Sequence, residues 1–171
     1  MPESDFEITV TASVLPTDEK IRDGHLVTDD VFEFMAVGEW YVNPNYEFTD
    51  CIGMTWSDNF TLYFDDGYTY NHRTNKKDRS PMVMNDMAPE QGFAYDADLK
   101  LFDRQNEIVI IGRVYQADSS GSANVCGTYG HVIYLPSSIA VSFSNDNDLV
   151  LSVGVGSAIQ IASPDYYPFN Y

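Results

Sequence analysis

Residues 6–15, FEITVTASVL, alternate apolar and polar side chains without an error. Phe6, Ile8, Val10, Ala12 and Val14 fall on one face; Glu7, Thr9, Thr11 and Ser13 fall on the other. A period of two over this length describes a half-buried antiparallel strand. The same period recurs along the chain, and helical periodicity is almost absent. VFEFMAVGEWYV (31–42) puts Phe32, Phe34, Ala36, Trp40 and Val42 on one parity with Glu33 and Glu39 opposite, and Asn43-Pro44-Asn45 ends it as a turn.

The stretch 46–64 alternates again, interrupted by Ser57-Asp58-Asn59. A hairpin tip at those three residues sets Trp56 opposite Phe60, Met54 opposite Leu62 and Ile52 opposite Phe64, so all six share one wall. A second hairpin, 93–102 with 107–116, places Asp96 opposite Arg113 and makes Arg113 half of a cross-strand ion pair. IAVSF (139–143) and LVLSVGVGSAIQIA (149–162) form a third, with Phe143 beside Leu149 and Val141 beside Leu151. Between the first two lies one long segment, 71–92, that reads as irregular. It carries four of the nine basic residues and three of the six methionines, and reads as a lid or a surface insertion.

Eight or nine strands in series, joined by short turns, predict an all-β chain. The expected fold is one antiparallel up-and-down barrel of about eight strands spanning 1–171, with an aromatic tail at 163–171; a two-sheet β-sandwich is the alternative. The 171 residues suffice for one domain with a sizeable core.

Twenty-six acids against nine bases, a net charge of −17, argue against nucleic acid as a ligand, because phosphate contacts demand Lys and Arg. No stretch is apolar enough to span a bilayer as a helix, and the acidic N-terminus lacks the pattern of a signal peptide. The expected location is cytoplasmic, or secreted where a leader has been removed. Cys51 and Cys126 read as two buried thiols, with a single disulfide as the alternative in an oxidising compartment. His25, His72 and His131 lie in unrelated segments, so neither a metal nor another cofactor is expected. The 144–148 loop, SNDND, reads as a turn or a weak Ca²⁺ site.

The parities turn one polar set inward. Trp40, Met54 and Trp56 lie beside Asp50, Tyr95, Tyr129 and His131. An inward Asp among aromatic side chains is desolvated, its pKa raised unless hydrogen-bonded, and such a group can act as a general acid. The competing readings are Asp50 at a wet rim, Tyr129 and His131 as a satisfied core pair, and the tryptophans as plain filling.

YEFTDCIGMTWSDNFTLYF (46–64), entered from a strand bearing Val37-Gly38, resembles the early hairpin of allene-oxide-cyclase-like and dirigent-like barrels. That group includes the barrel cyclases of spirotetronate polyketide biosynthesis. EIVIIGRVYQAD (107–118) and VCGTYGHVIY (125–134) resemble later strands of the same family. The resemblance implies a calycin-like barrel with an apolar pocket and a cofactor-free cyclase, such as a [4+2] cyclase (Diels-Alderase), acting on a hydrophobic polyketide- or oxylipin-like substrate. The family supplies no catalytic residue to carry over, so the inward parities make Tyr95, Tyr129, His131 and Asp50 the candidate catalytic residues. Trp40, Met54, Trp56, Phe60, Leu62, Met82 and Met84 are the candidate substrate-binding residues. The alternatives are a non-catalytic carrier of hydrophobic ligands, a dirigent-like protein, or an acidic interaction or inhibitor protein, with a homo-oligomer compatible with each.

Overall fold

The computed structural model describes residues 5–15, 21–22, 25–26, 31–42, 48–57, 60–98, 106–116, 121–134, 139–143, 149–153 and 158–170. Its strands, in chain order, are β1 (Phe6–Val14), β2 (Ile21–Arg22), β3 (His25–Leu26), β4 (Val31–Trp40), β5 (Thr49–Trp56), β6 (Phe60–Asn71) and β7 (Lys76–Asp78). They continue as β8 (Met82–Ala88), β9 (Gly92–Asp98), β10 (Asn106–Gln116), β11 (Ser122–Tyr134), β12 (Ile139–Phe143), β13 (Leu149–Val153), β14 (Ala158–Ile161) and β15 (Asp165–Asn170). The described residues contain no helix, hence none long and apolar enough to cross a membrane.

The expectation of an all-β chain holds; the closed barrel does not. One sheet runs β1-β4-β10-β6-β7, and a second runs β14-β11-β5-β9-β8 with β15 also paired to β11. Their inner faces share one core. Phe6, Ile8, Val10, Phe34, Ala36, Ile108 and Ile110 of the first meet Ile52, Met54, Trp56, Phe93, Val125 and Tyr129 of the second. This is the two-sheet alternative.

The correction turns on connectivity. Strands β5 and β6 are consecutive, yet β5 pairs with β11 and β9, whereas β6 pairs with β10 and β7. The chain therefore crosses between sheets after Trp56, where a hairpin was expected (residues 58 and 59 of that turn lie outside the described residues). The Trp56 indole N–H donates to the Phe60 carbonyl across the crossing, at 3.3 Å. The Ser57 amide donates to the Asn124 carbonyl at 3.0 Å, and the Asn124 amide returns a bond to Ser57 Oγ at 2.9 Å. These bonds hold the departing chain to the second sheet until the last residue before the crossing.

The expected hairpin from 93 to 116 fails in the same way, because β9 lies in the second sheet and β10 in the first. Arg113 does form a cross-strand ion pair, but with Glu33 at 3.0 Å, its register partner on β4. Asp96 accepts instead from Asn85, at 2.6 Å. The 71–92 segment is not irregular. It contains β7 and β8, the edge strands of the two sheets.

Along the 52–64 stretch, parity holds through Leu62 and fails at Phe64. A register shift between Arg113 and Val114 inserts Tyr63 as an extra residue on β6, and Phe64 emerges 42% exposed. A bulge reverses every facing beyond it, which alternation alone cannot locate. Val14 and Val42 are also exposed.

The third hairpin appears as expected, with Phe143 opposite Leu149 and Val141 opposite Leu151, although 149–162 divides into β13 and β14. Ile139, Leu149 and Leu151 of this hairpin cover Cys51, Ala94 and Val132 on the outer face of the second sheet. Strand β5 is thereby buried on both faces from Asp50 to Trp56. Both cysteines are free and buried, and Cys126 stands opposite Thr55, four positions from Cys51 along β5. That offset is roughly 13 Å along a strand, beyond the reach of a disulfide. The 144–148 loop lies outside the described residues, and the aromatic tail is a strand, β15, beside β11.

Candidate functional site

Alternation on β5 and β11 turns Asp50, Tyr129 and His131 toward the space between the sheets, and Trp40 reaches them from β4. All four are buried: Asp50 and Tyr129 fully, His131 at 3% and Trp40 at 5% exposure. The Tyr129 hydroxyl donates to Asp50 Oδ2, His131 Nδ1 lies 2.8 and 2.9 Å from the two carboxylate oxygens, and the Val132 amide donates to Oδ1 at 3.2 Å. The Trp40 indole N–H donates to the Tyr129 hydroxyl oxygen at 3.2 Å. The Asp50 contacts call for a proton on His131 Nδ1, since an ionised carboxylate accepts only.

Burial pushes the Asp50 carboxyl above its ordinary range, and the hydrogen bonds from His131, Tyr129 and Val132 oppose that rise. Burial, then the negative charge of Asp50, raises the Tyr129 phenol well above its ordinary value. Aromatic contacts fix the ring positions. Phe6 of β1 stacks on Tyr129 at 3.9 Å, and Trp40 meets His131 edge-on at 5.0 Å. Since Phe6 and Trp40 belong to the first sheet and Asp50, Tyr129 and His131 to the second, the cluster is a polar pin through an apolar core. Its carboxylate has three donors, as a buried charge requires.

The remaining predicted residues divide. Tyr95 shares a cross-strand row with Ile52 and Tyr129, but two strands away from the latter. Its hydroxyl donates to Asp65 of the first sheet, so it takes no part in the pin. Its ring lies over Gly67, where an added Cβ would stand 2.8 Å away. Met54, Trp56, Phe60, Leu62 and Met82 are buried in the core, with Met84 packed against it. Their neighbours are other rings: Phe34 lies 5.8 Å from Trp56 and 5.4 Å from Phe60, Trp56 lies 6.1 Å from Phe93, and Phe169 of β15 lies 5.8 Å from Phe60. The aromatic wall expected to line a substrate pocket is engaged in core packing.

A second constellation was missed. On the outer face of the first sheet, Glu39, His72 and Glu107 bring one ligand atom each to within 4.8 Å of one another. A hydrogen bond to Glu107 and partial burial raise the Glu39 carboxyl. Glu39 and Glu107 are 68 positions apart in sequence and meet only because β4 and β10 are neighbours, a pairing that alternation does not reveal.

No protein-family model and no curated protein matches the sequence. Solved structures do match the fold. The T6 backbone pilin of serotype M6 Streptococcus pyogenes aligns over 94% of this chain and 35% of its own, at 12% identity and a TM-score of 0.51. The pilus backbone protein RrgB of Streptococcus pneumoniae aligns over 82% of this chain and 59% of its own, at 11% identity and a TM-score of 0.51. The chain thus spans about a third of one relative and three-fifths of the other. The likeness is one of fold alone, to backbone pilins. It overturns the resemblance to allene-oxide-cyclase-like and dirigent-like barrels, and with it the cyclase reading, since neither of the two described sheets is closed into a barrel.

Proposed function

We propose that this chain is a structural or adhesive β-sandwich module of an extracellular surface protein, engaging other proteins rather than a small-molecule substrate. The observation that carries the reading is the fold likeness to a pilus backbone protein across 94% of the chain. The internal construction agrees with a load-bearing or display role. The two sheets share an aromatic core pinned by the Asp50 cluster, and a third layer covers the second sheet. A net charge of −17 keeps such modules apart from one another and steers basic partners toward them. This replaces both the cytoplasmic location and the hydrophobic substrate expected from the sequence.

Antibodies raised against the purified chain provide the test, applied to intact and permeabilised cells of the source organism. The reading expects labelling of intact cells and loss of the signal after brief protease treatment of their surface. Labelling that requires permeabilisation would refute it.

A further inference from the structure

We infer that Glu39, His72 and Glu107 form a binding site for a divalent metal ion of the zinc class on the outer face of the first sheet, an assignment independent of the adhesive reading. Three features support it. The ligand set is mixed: two carboxylates and one imidazole nitrogen, drawn from three adjacent strands or their ends, with all ligand atoms within 4.8 Å of one another. Ligands around a four-coordinate zinc stand roughly 3.3 Å apart, so modest side-chain rotation closes the set. Imidazole nitrogen suits zinc and its transition-metal neighbours, whereas Ca²⁺ and Mg²⁺ prefer all-oxygen shells.

The acids are also placed against their own electrostatics. Glu7, Glu39 and Glu107 occupy one cross-strand row over β1, β4 and β10. Like charges directly opposite one another destabilise a sheet, and a bound cation reverses the sign of that term. Glu7, the third acid of the row, accepts the Tyr41 hydroxyl and stands outside the set.

Finally, the histidine is brought to the acids by the fold. His72 follows directly on β6, whose Asn71 stands opposite Asn106, the neighbour of Glu107. Its Nε2 lies 2.5 Å from Glu107 Oε1, and the Tyr70 ring meets the imidazole edge-on at 5.1 Å. The Nε2 edge therefore faces the carboxylates. The set supplies three protein ligands and leaves a fourth position for water or for a side chain of a bound partner.

Isothermal titration of the full chain with ZnCl₂, in a non-chelating buffer at pH 7.5, tests the site. The expected result is one saturable ion per chain, undiminished by millimolar Mg²⁺ or Ca²⁺. His72→Asn and Glu107→Gln, surface changes whose folding is checked by circular dichroism, should each weaken binding at least tenfold. In wild type, the His72 imidazole resonances should shift with zinc while those of buried His131 stay fixed. Absence of saturation at millimolar zinc would overturn the assignment, as would binding that survives both substitutions or moves His131 rather than His72.

Discussion

Replacing Asp50 by alanine tests the polar pin directly. The carboxylate accepts from the Tyr129 hydroxyl, from His131 Nδ1 and from the Val132 amide, all of them buried. An orphaned buried donor costs about 1–3 kcal/mol, so three donors set an upper bound of about 9 kcal/mol. The bound is not reached. Tyr129 keeps its bond from Trp40, its hydroxyl can turn toward His131, and the charge no longer has to be held out of water. Removing one partner of a buried polar pair costs about 3–5 kcal/mol, and we expect about 4. Against a total of about 5–15 kcal/mol, that is a large share of the stability. With a urea slope near 2 kcal/mol/M, the midpoint should fall by about 2 M. Fluorescence reports the transition, because Trp40 and Trp56, the two tryptophans of the chain, are both buried. Asp50→Asn keeps an acceptor for His131 and Val132, so its midpoint should fall by less than half as much. A midpoint for Asp50→Ala within about 0.3 M of wild type would refute the view that this cluster ties the sheets together.

Acidification should act on the same residue with a defined sign. Burial holds the folded carboxyl above the unfolded value of about 3.9, so the folded state binds the extra proton between the two pKa values. Stability from this group is therefore present below the unfolded pKa and lost as pH rises through the folded one. Wild type should gain stability relative to Asp50→Asn as pH falls from 7 toward 4, and a difference that shrinks would contradict the burial argument. Gly112→Ala places a Cβ 2.7 Å from the Phe93 ring in the opposite sheet, and should cost about 1–3 kcal/mol in the same urea titration. Arg113→Met, by contrast, breaks a part-exposed pair with Glu33 and should cost at most about 1 kcal/mol. The Cys51 thiol, its pKa raised by burial, should resist iodoacetamide in the native protein and react on unfolding; native-state labelling would show that the β12–β13 layer opens.

The sequence carried the strands and their faces because alternation is a local property. Phe6 through Ala12, Phe32 through Trp40 and Asp50 through Trp56 face as their parity indicates, and Asp50, Tyr129 and His131 converge for that reason. What alternation cannot encode is the partner. A three-residue turn after Trp56 serves a hairpin and a crossing between sheets equally well, since side-chain parity is preserved in both. From that ambiguity, and the same one between β9 and β10, followed the barrel and the predicted Asp96–Arg113 pair. The Glu39–His72–Glu107 set was illegible for the same reason, because its members are joined by strand register alone. The Tyr63 bulge reversed Phe64 by inserting one residue, with no Gly or Pro in LYF to signal it.

The crossings have a consequence for how the chain reaches its native state. With β5 and β6 in different sheets, and β9 and β10 likewise, neither pair can close as a hairpin. Residues near 55 must instead find residues near 126, and residues near 8 must find those near 38. Loop-closure entropy is then lost before long-range pairing compensates it, which puts folding in the millisecond-to-second range of β-sandwiches. During that interval the strands of each sheet lie open to other nascent copies. Mutual repulsion at net charge −17 then protects the protein before any core exists to do so.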